Sequence, residues 1–209
     1  MEVGTAEAAL KGIEEIRGRK AYHIAVLVRS NSVIDLVYPV RDEHHSYIDV
    51  ERFHSLHYEK ILSEGRYRAD EVMEFDQEAH QAVYFSRRSG DKKQMLIPKD
   101  TQDLVSAAYW FRVQPMETGQ TVTIPINTDE RNWKFAVKIL EREKIRIDEL
   151  GTFDAVKIEP QVKFQGIFVQ RGKMTGWLGT DEKRLPLLMK TKVPVLGSIT
   201  MVLVSYEGS

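Results

Sequence analysis

Histidines, arginines set beside aromatic residues, and three tryptophans are the side chains in this sequence whose types and spacing could do chemistry. His44 and His45 follow Asp42 and Glu43, and His54 and His57 lie three apart downstream. Imidazole and carboxylate together suit zinc. Neighbouring residues of a strand point to opposite faces, however, so His44 and His45 cannot reach one ion without a bulge. His54 and His57 would share a face only on a helix, whereas the chain from Phe53 onward reads as strand. These histidines are expected to be partly exposed strand residues, with no metal site and no cofactor. Nucleophilic catalysis has no motif either: there is no Gly-x-Ser-x-Gly elbow, no glycine-rich phosphate loop and no cysteine.

The arginines allow two readings. Arg41 follows Tyr38-Pro39-Val40, and Arg66 and Arg68 flank Tyr67 at alternate strand positions, which puts both guanidinium groups on one face. Such a pair could hold an anionic headgroup bidentately. The plainer expectation, and the favoured one, is cross-strand ion pairing with Asp42, Asp70 or Glu71, worth little where exposed. Trp110, Trp133 and Trp177, with Tyr109 and Phe111, are core by default but could line an apolar pocket. The ligand-binding candidates are therefore Tyr109, Trp110, Trp133, Trp177, Arg41 and Arg66, and no residue is assigned a catalytic role.

The elements that must position these residues are mostly strands. Tyr22, Ile24, Val26 and Val28 alternate with His23, Ala25, Leu27 and Arg29. Trp133, Phe135, Val137 and Ile139 alternate with lysines and Ala136, and Val156, Ile158, Pro160 and Val162 with Lys157, Glu159, Gln161 and Lys163. Turn signals recur every 8–15 residues or so, from Arg17-Gly18-Arg19 to Leu196-Gly197-Ser198. Connections this short favour antiparallel neighbours. One segment differs: Asp103 is a good N-cap for DLVSAAYWFRV, where Leu104, Ala107, Ala108 and Phe111 fall at helical spacing and the opposite flank is apolar too. A short helix apolar nearly all round is expected to be buried on nearly all sides. Ser32–Tyr38 reads as one or two helical turns capped by Ser30, Asn31 or Ser32, or as a strand. The expected fold is mainly β, a single curved antiparallel meander or open β-barrel of about a dozen strands around one buried helix at 103–113. It forms one β-rich domain over 1–209.

Composition narrows the function. The 209 residues are 42% hydrophobic and 29% charged, with 30 basic against 31 acidic side chains. That is too apolar for a disordered chain and too charged for a membrane bundle. A net charge of −1 argues against a dedicated nucleic-acid binder, which needs a basic face. The lack of cysteine excludes disulfides and thiolate metal sites. No apolar run is long enough to span a bilayer. Met1–Thr5 has neither the basic start nor the apolar stretch of a signal peptide. The alternation already running at Val3, Thr5 and Glu7 suggests either that something upstream is missing or, equally, a cytoplasmic protein that opens on a strand.

RSNSVIDLVYPVRDEHHSYID at 29–49, EKILSEGRYRADEVMEFD at 59–76, QDLVSAAYWFR at 102–112, GTFDAVKIEP at 151–160 and WLGTDEKRLPLLMKTKVPVLGSI at 177–199 resemble, in order, domain-of-unknown-function family 3108. The likeness runs from Gly4 to Tyr206. It implies an exported bacterial protein of the periplasm or cell envelope, a β-rich fold and no assigned activity. It also implies that a signal peptide and a first strand are missing before Gly4, and it carries over no catalytic residue.

Three functions compete. The first is a non-enzymatic envelope protein holding a lipid or other apolar, acyl-chain ligand between a curved sheet and the 103–113 helix. The second is an interaction module that docks an envelope protein partner through sheet edges or loops. A hydrolase acting on envelope material comes last, and would show a His–acid pair or carboxylates with perturbed pKa in a cleft.

Overall fold

The structure, a computed structural model, describes residues 1–161, 174–193 and 197–207. Val162, Lys163 and Leu196, which the alternation and turn signals included, lie outside the described residues.

The described chain forms thirteen strands and two short helices. They are β1 (Gly4–Ile16), β2 (Arg19–Ser30), α1 (Ser32–Asp35), β3 (Arg41–Asp49), β4 (Ser55–Glu64), β5 (Tyr67–Asp76), β6 (Gln81–Ser86), β7 (Lys92–Leu96), α2 (Leu104–Arg112), β8 (Thr121–Thr128), β9 (Arg131–Ile147), β10 (Gly151–Gln161), β11 (Thr175–Gly179), β12 (Pro186–Val193) and β13 (Gly197–Val202). Every pairing between neighbouring strands is antiparallel where register is defined, and strands adjacent in sequence are adjacent in the sheet. The expectation of an antiparallel meander is met strand to strand.

It is corrected in one respect: there are two sheets, not one. β1 to β7 form a seven-stranded sheet in chain order, and β8 to β13 a six-stranded one. The chain also divides into two compact units, Met1–Trp110 with Pro125–Asn132, and Phe111–Ile124 with Trp133–Ser209. The unbroken alternation of the sequence gives no sign of this, because the chain passes between units within α2, β8 and β9 and not at a linker.

In the first unit one sheet face carries the core. Tyr58, Met73, Phe75, Ala82, Tyr84 and Ile97 pack together, with Met95 and Val105 against them. The strands alternate as half-buried strands must: Tyr58 and Met73 are direct cross-strand partners on this face, and so are Met73 and Tyr84. In the second unit Ile147, Ala155, Trp177 and Leu187 form the core, with Phe153, Leu185, Leu188 and Leu203 around them.

The helix is the second correction. α2 is present and Asp103 caps it, accepting the Val105 and Ser106 N–H groups at 2.7 and 2.8 Å. It is not buried all round. Ser106, Ala107 and Phe111 face inward, while Leu104 is 40% and Val113 60% exposed. Two helical stripes four residues apart, 107/111 and 104/108, are both apolar, so composition alone could not choose between them. The hydroxyl of Ser106 decides: it accepts the Asp103 N–H at 2.8 Å, which turns that side of the helix inward.

Candidate functional site

Three places in the first unit gather polar or reactive side chains. The first lies beneath α2. Asp103 is wholly buried and accepts hydrogen bonds from the Ser46 hydroxyl at 2.7 Å and the Ser55 hydroxyl at 2.5 Å, as well as from the two helix N–H groups. Burial raises its carboxyl pKa, against the opposing pull of the hydrogen bonds from Ser55, Ser106 and Ser46. Nearby, Gln77 donates to the Ser55 and Thr101 carbonyls and Gln102 to those of Phe53 and Asp100. Every Asp103 contact here serves the helix start or ties β3 and β4 to it. The arrangement is a structural anchor.

The second lies on the core-bearing face of the sheet. The Lys60 ammonium donates to Glu71 at 2.8 Å and Asp129 at 3.0 Å. Burial lowers the Lys60 pKa, but these two carboxylates outweigh it and hold the amine charged. His44 Nδ1 sits 2.7 Å from the Tyr58 hydroxyl, and burial lowers the His44 pKa. A cleft of about 20 Å³ among Tyr58, Lys60, Glu71, Tyr84, Asn127 and Asp129 has room for about one water.

The third covers the opposite face. His23 Nδ1 meets Glu14 at 2.6 Å and its Nε2 meets His45 at 2.9 Å, while its ring stacks on Tyr47 at 4.4 Å. His57 lies between Glu74 at 2.8 Å and Glu59 at 2.9 Å. Burial pulls the His57 imidazole down, yet hydrogen bonds to Glu74 and Glu59 raise its pKa overall. Both nitrogens of His57 are engaged by carboxylates, so neither has a lone pair free to take a substrate proton. Beside it an open depression of about 530 Å³ is lined by Glu15, Arg17, His57, Glu74 and Lys92, with only Ile16 and Val83 apolar. As expected from strand geometry, His44 and His45 point to opposite faces. Among the described residues no three His, Asp or Glu side chains group as metal ligands.

The sequence candidates are spread over both units. Tyr109 and Trp110 lie on α2 and are half-buried. Trp133 begins the second-unit part of β9, and Trp177 is buried in the second unit, donating to Glu143 at 2.6 Å beneath Lys157 and Lys190. None of them lines the two hollows just described. Arg41 and Arg66 do come to one end of the first sheet. Arg41 is bound to Asp35 at 2.5 Å.

The cross-strand ion pairs expected for Arg66 and Arg68 do not form. Asp70 takes Arg87, Glu71 takes Lys60, and Asp42 accepts the Ser63 N–H. The Arg68 guanidinium turns back to the Gly65 and Tyr67 carbonyls. The sequence reading set both arginines at alternate positions of one strand, whereas Arg66 lies in the turn before β5 and only Arg68 lies on the strand. Nor could alternation show that their acids were already taken.

That same end holds the helical turn expected after Ser30, Asn31 or Ser32, and with it an anchored, exposed tip that the sequence reading missed. Asn31 caps α1, accepting the Val33 and Ile34 N–H groups. Ser30 Oγ accepts the Val40 N–H at 2.7 Å, and Gly65 donates to the Pro39 carbonyl at 2.8 Å. The Tyr38 ring lies over Gly65 so closely that a Cβ there would sit 2.7 Å from it, and Gly65 has φ +53°. The loop is thus fixed at both ends, yet Leu36 is 86% and Val37 87% exposed. The signal available was an apolar run between Asn31 and Pro39, too short to be a core element.

The two antiparallel sheets define a mainly β protein, and no helix among the described residues is long and apolar enough to cross a membrane. The chain belongs to the family of proteins of unknown function DUF3108, whose pattern matches residues 1–204. Its structure is similar to the crystal structure of a β-barrel-like protein of domain of unknown function DUF1849 from Brucella abortus. The TM-score is 0.61 at 6% identity, covering 96% of this chain and 86% of that one. At that identity the likeness concerns the fold alone. No curated protein matches the chain in sequence.

Proposed function

We propose that this is a non-enzymatic component of the bacterial cell envelope that acts by surface recognition, through the loop of residues 31–40 at one end of the first unit. The observation that carries the reading is the pairing of rigidity with apolar exposure. Leu36 and Val37 stand in solvent on a loop whose anchors leave it little freedom to lose on binding. A stable protein rarely spends a fixed loop on exposed apolar side chains unless they meet something. The envelope address rests on membership of the family.

The alternative of an acyl-chain ligand held inside has less support. Of the two hollows described, one takes about a single water and the other is an open depression that encloses nothing. The hydrolase reading rests on His–carboxylate pairs alone, and at His57 those pairs consume both ring nitrogens.

A photo-crosslinking amino acid at position 36 or 37, in cells that make the protein, tests the proposal. Discrete adducts are expected at 36 and 37 but not at Leu96, which is also exposed and lies on β7. Equal labelling at all three positions, or none, removes the recognition role of this loop.

A further inference from the structure

Around the Leu36–Val37 tip the first sheet ends in a row of arginines. Arg29 closes β2 and lies directly across from Arg41 at the start of β3. Arg66 stands in the β4–β5 hairpin beside the Gly65 that Tyr38 covers, and Arg68 follows on β5. The β6 end reaches the same side, where the Arg87 N–H donates to the Asp70 carbonyl and Arg88 follows. Arg41 and Arg87 are matched by Asp35, and by Asp70 with Glu59. Among the described residues Arg29, Arg66, Arg68 and Arg88 have no carboxylate at ion-pair distance. Of the neighbouring acids, Asp42 is buried and Glu64 hydrogen-bonds to it. Tyr38, whose ring covers Gly65 next to Arg66, and Tyr67, between Arg66 and Arg68 in the chain, are both about half exposed.

Resting on the recognition role proposed above, we infer that this end of the first unit docks on an anionic lipid surface, Leu36 and Val37 entering the headgroup boundary and the unmatched arginines facing lipid phosphates. An apolar tip, amphipathic rings and cations gathered at one end match the acyl chains, interface and headgroups that a bilayer presents. Guanidinium forks fit phosphate oxygens, and their stems lie along apolar surface while the charge stays in water. Unmatched charge of one sign spread along a sheet end suits an extended anionic plane better than a pocket. The chain as a whole is near neutral, so attraction has to come from this local array.

The test is co-sedimentation of the full chain with phosphatidylcholine vesicles, with and without phosphatidylglycerol. Binding is expected only when phosphatidylglycerol is present, and it should weaken steeply as salt is raised. Arg66→Gln and Arg29→Gln should each lower the partition about fivefold. Leu36→Asp combined with Val37→Asp should lower it more than tenfold, with melting temperature unchanged because both side chains are in solvent. Absence of binding to phosphatidylglycerol vesicles overturns the inference, and so does binding indifferent to all four substitutions. If the vesicles fail while the position-36 crosslinker still captures a protein in cells, the lipid surface is wrong and the recognition loop stands. If vesicles and crosslinker both fail, both readings fall.

Discussion

Both units pack an apolar cluster on a sheet face, but they differ in what else they bury. The second buries Trp177, Leu187, Ile147 and Ala155 among leucines and Phe153, and the polar edge of Trp177 is the part that finds Glu143. The first buries Asp103, Ser46, Ser55, Ser106, Thr101 and Gln102 entirely or nearly so, and holds Lys60 between two carboxylates. Apolar packing is non-directional and tolerates repacking. A buried hydrogen-bonded set accepts one arrangement, because each unpartnered member costs its desolvation. The polar core therefore fixes where α2 starts and how β3 and β4 meet it. The unit that carries the exposed loop is the one whose geometry is pinned by directional bonds.

Leu187→Ala should give the largest effect, a loss of about 4 kcal/mol by cavity formation. Urea melts should show that loss equally at acid and neutral pH, since no titrating group is involved. Asp103→Ala comes next, at about 3 kcal/mol, because it removes the helix cap and strands the Ser46 and Ser55 hydroxyls. Asp103→Asn keeps the cap and should cost only about 1 kcal/mol. If Asp103→Ala proves as mild as Asp103→Asn, the polar core is not what pins the first unit.

The Asp103 variants also sharpen the contrast through pH. The folded carboxyl titrates above its unfolded value, so the native state holds that proton more tightly. This contribution to stability is greatest in acid and declines as pH rises from about 3.9 through the folded pKa. Asp103→Asn should flatten that part of the profile. His57→Gln should have the smallest effect, about 1 kcal/mol or less. With a raised folded pKa, His57 stabilises fully below about 6.5 and loses that contribution as pH climbs through the folded value. Its variant should lack that decline, and denaturant midpoints measured across neutral pH would show it.

Much of the fold was legible because strand period and turn chemistry act over a few residues. The 22–28 alternation is β2, the turn at Asp49-Val50-Glu51 separates β3 from β4, and Asp103 caps α2. Of the candidate site, the opposite faces of His44 and His45 were legible for the same reason. Ser46 and Ser55 gave little signal, since a serine in an alternating strand normally faces water and these two turn inward only because Asp103, 57 and 48 residues away, receives them.

Sequence by itself determined the β-rich antiparallel class, the strand order and the helix cap, all properties set by neighbours along the chain or across one hairpin. Only the tertiary structure decided that there are two sheets, which stripe of α2 faces inward, and which arginines keep a partner. Those outcomes depend on competition among groups far apart in sequence. Asp70 goes to Arg87 and Glu71 to Lys60, and the arginines left over are known only once each acid's position is fixed in three dimensions.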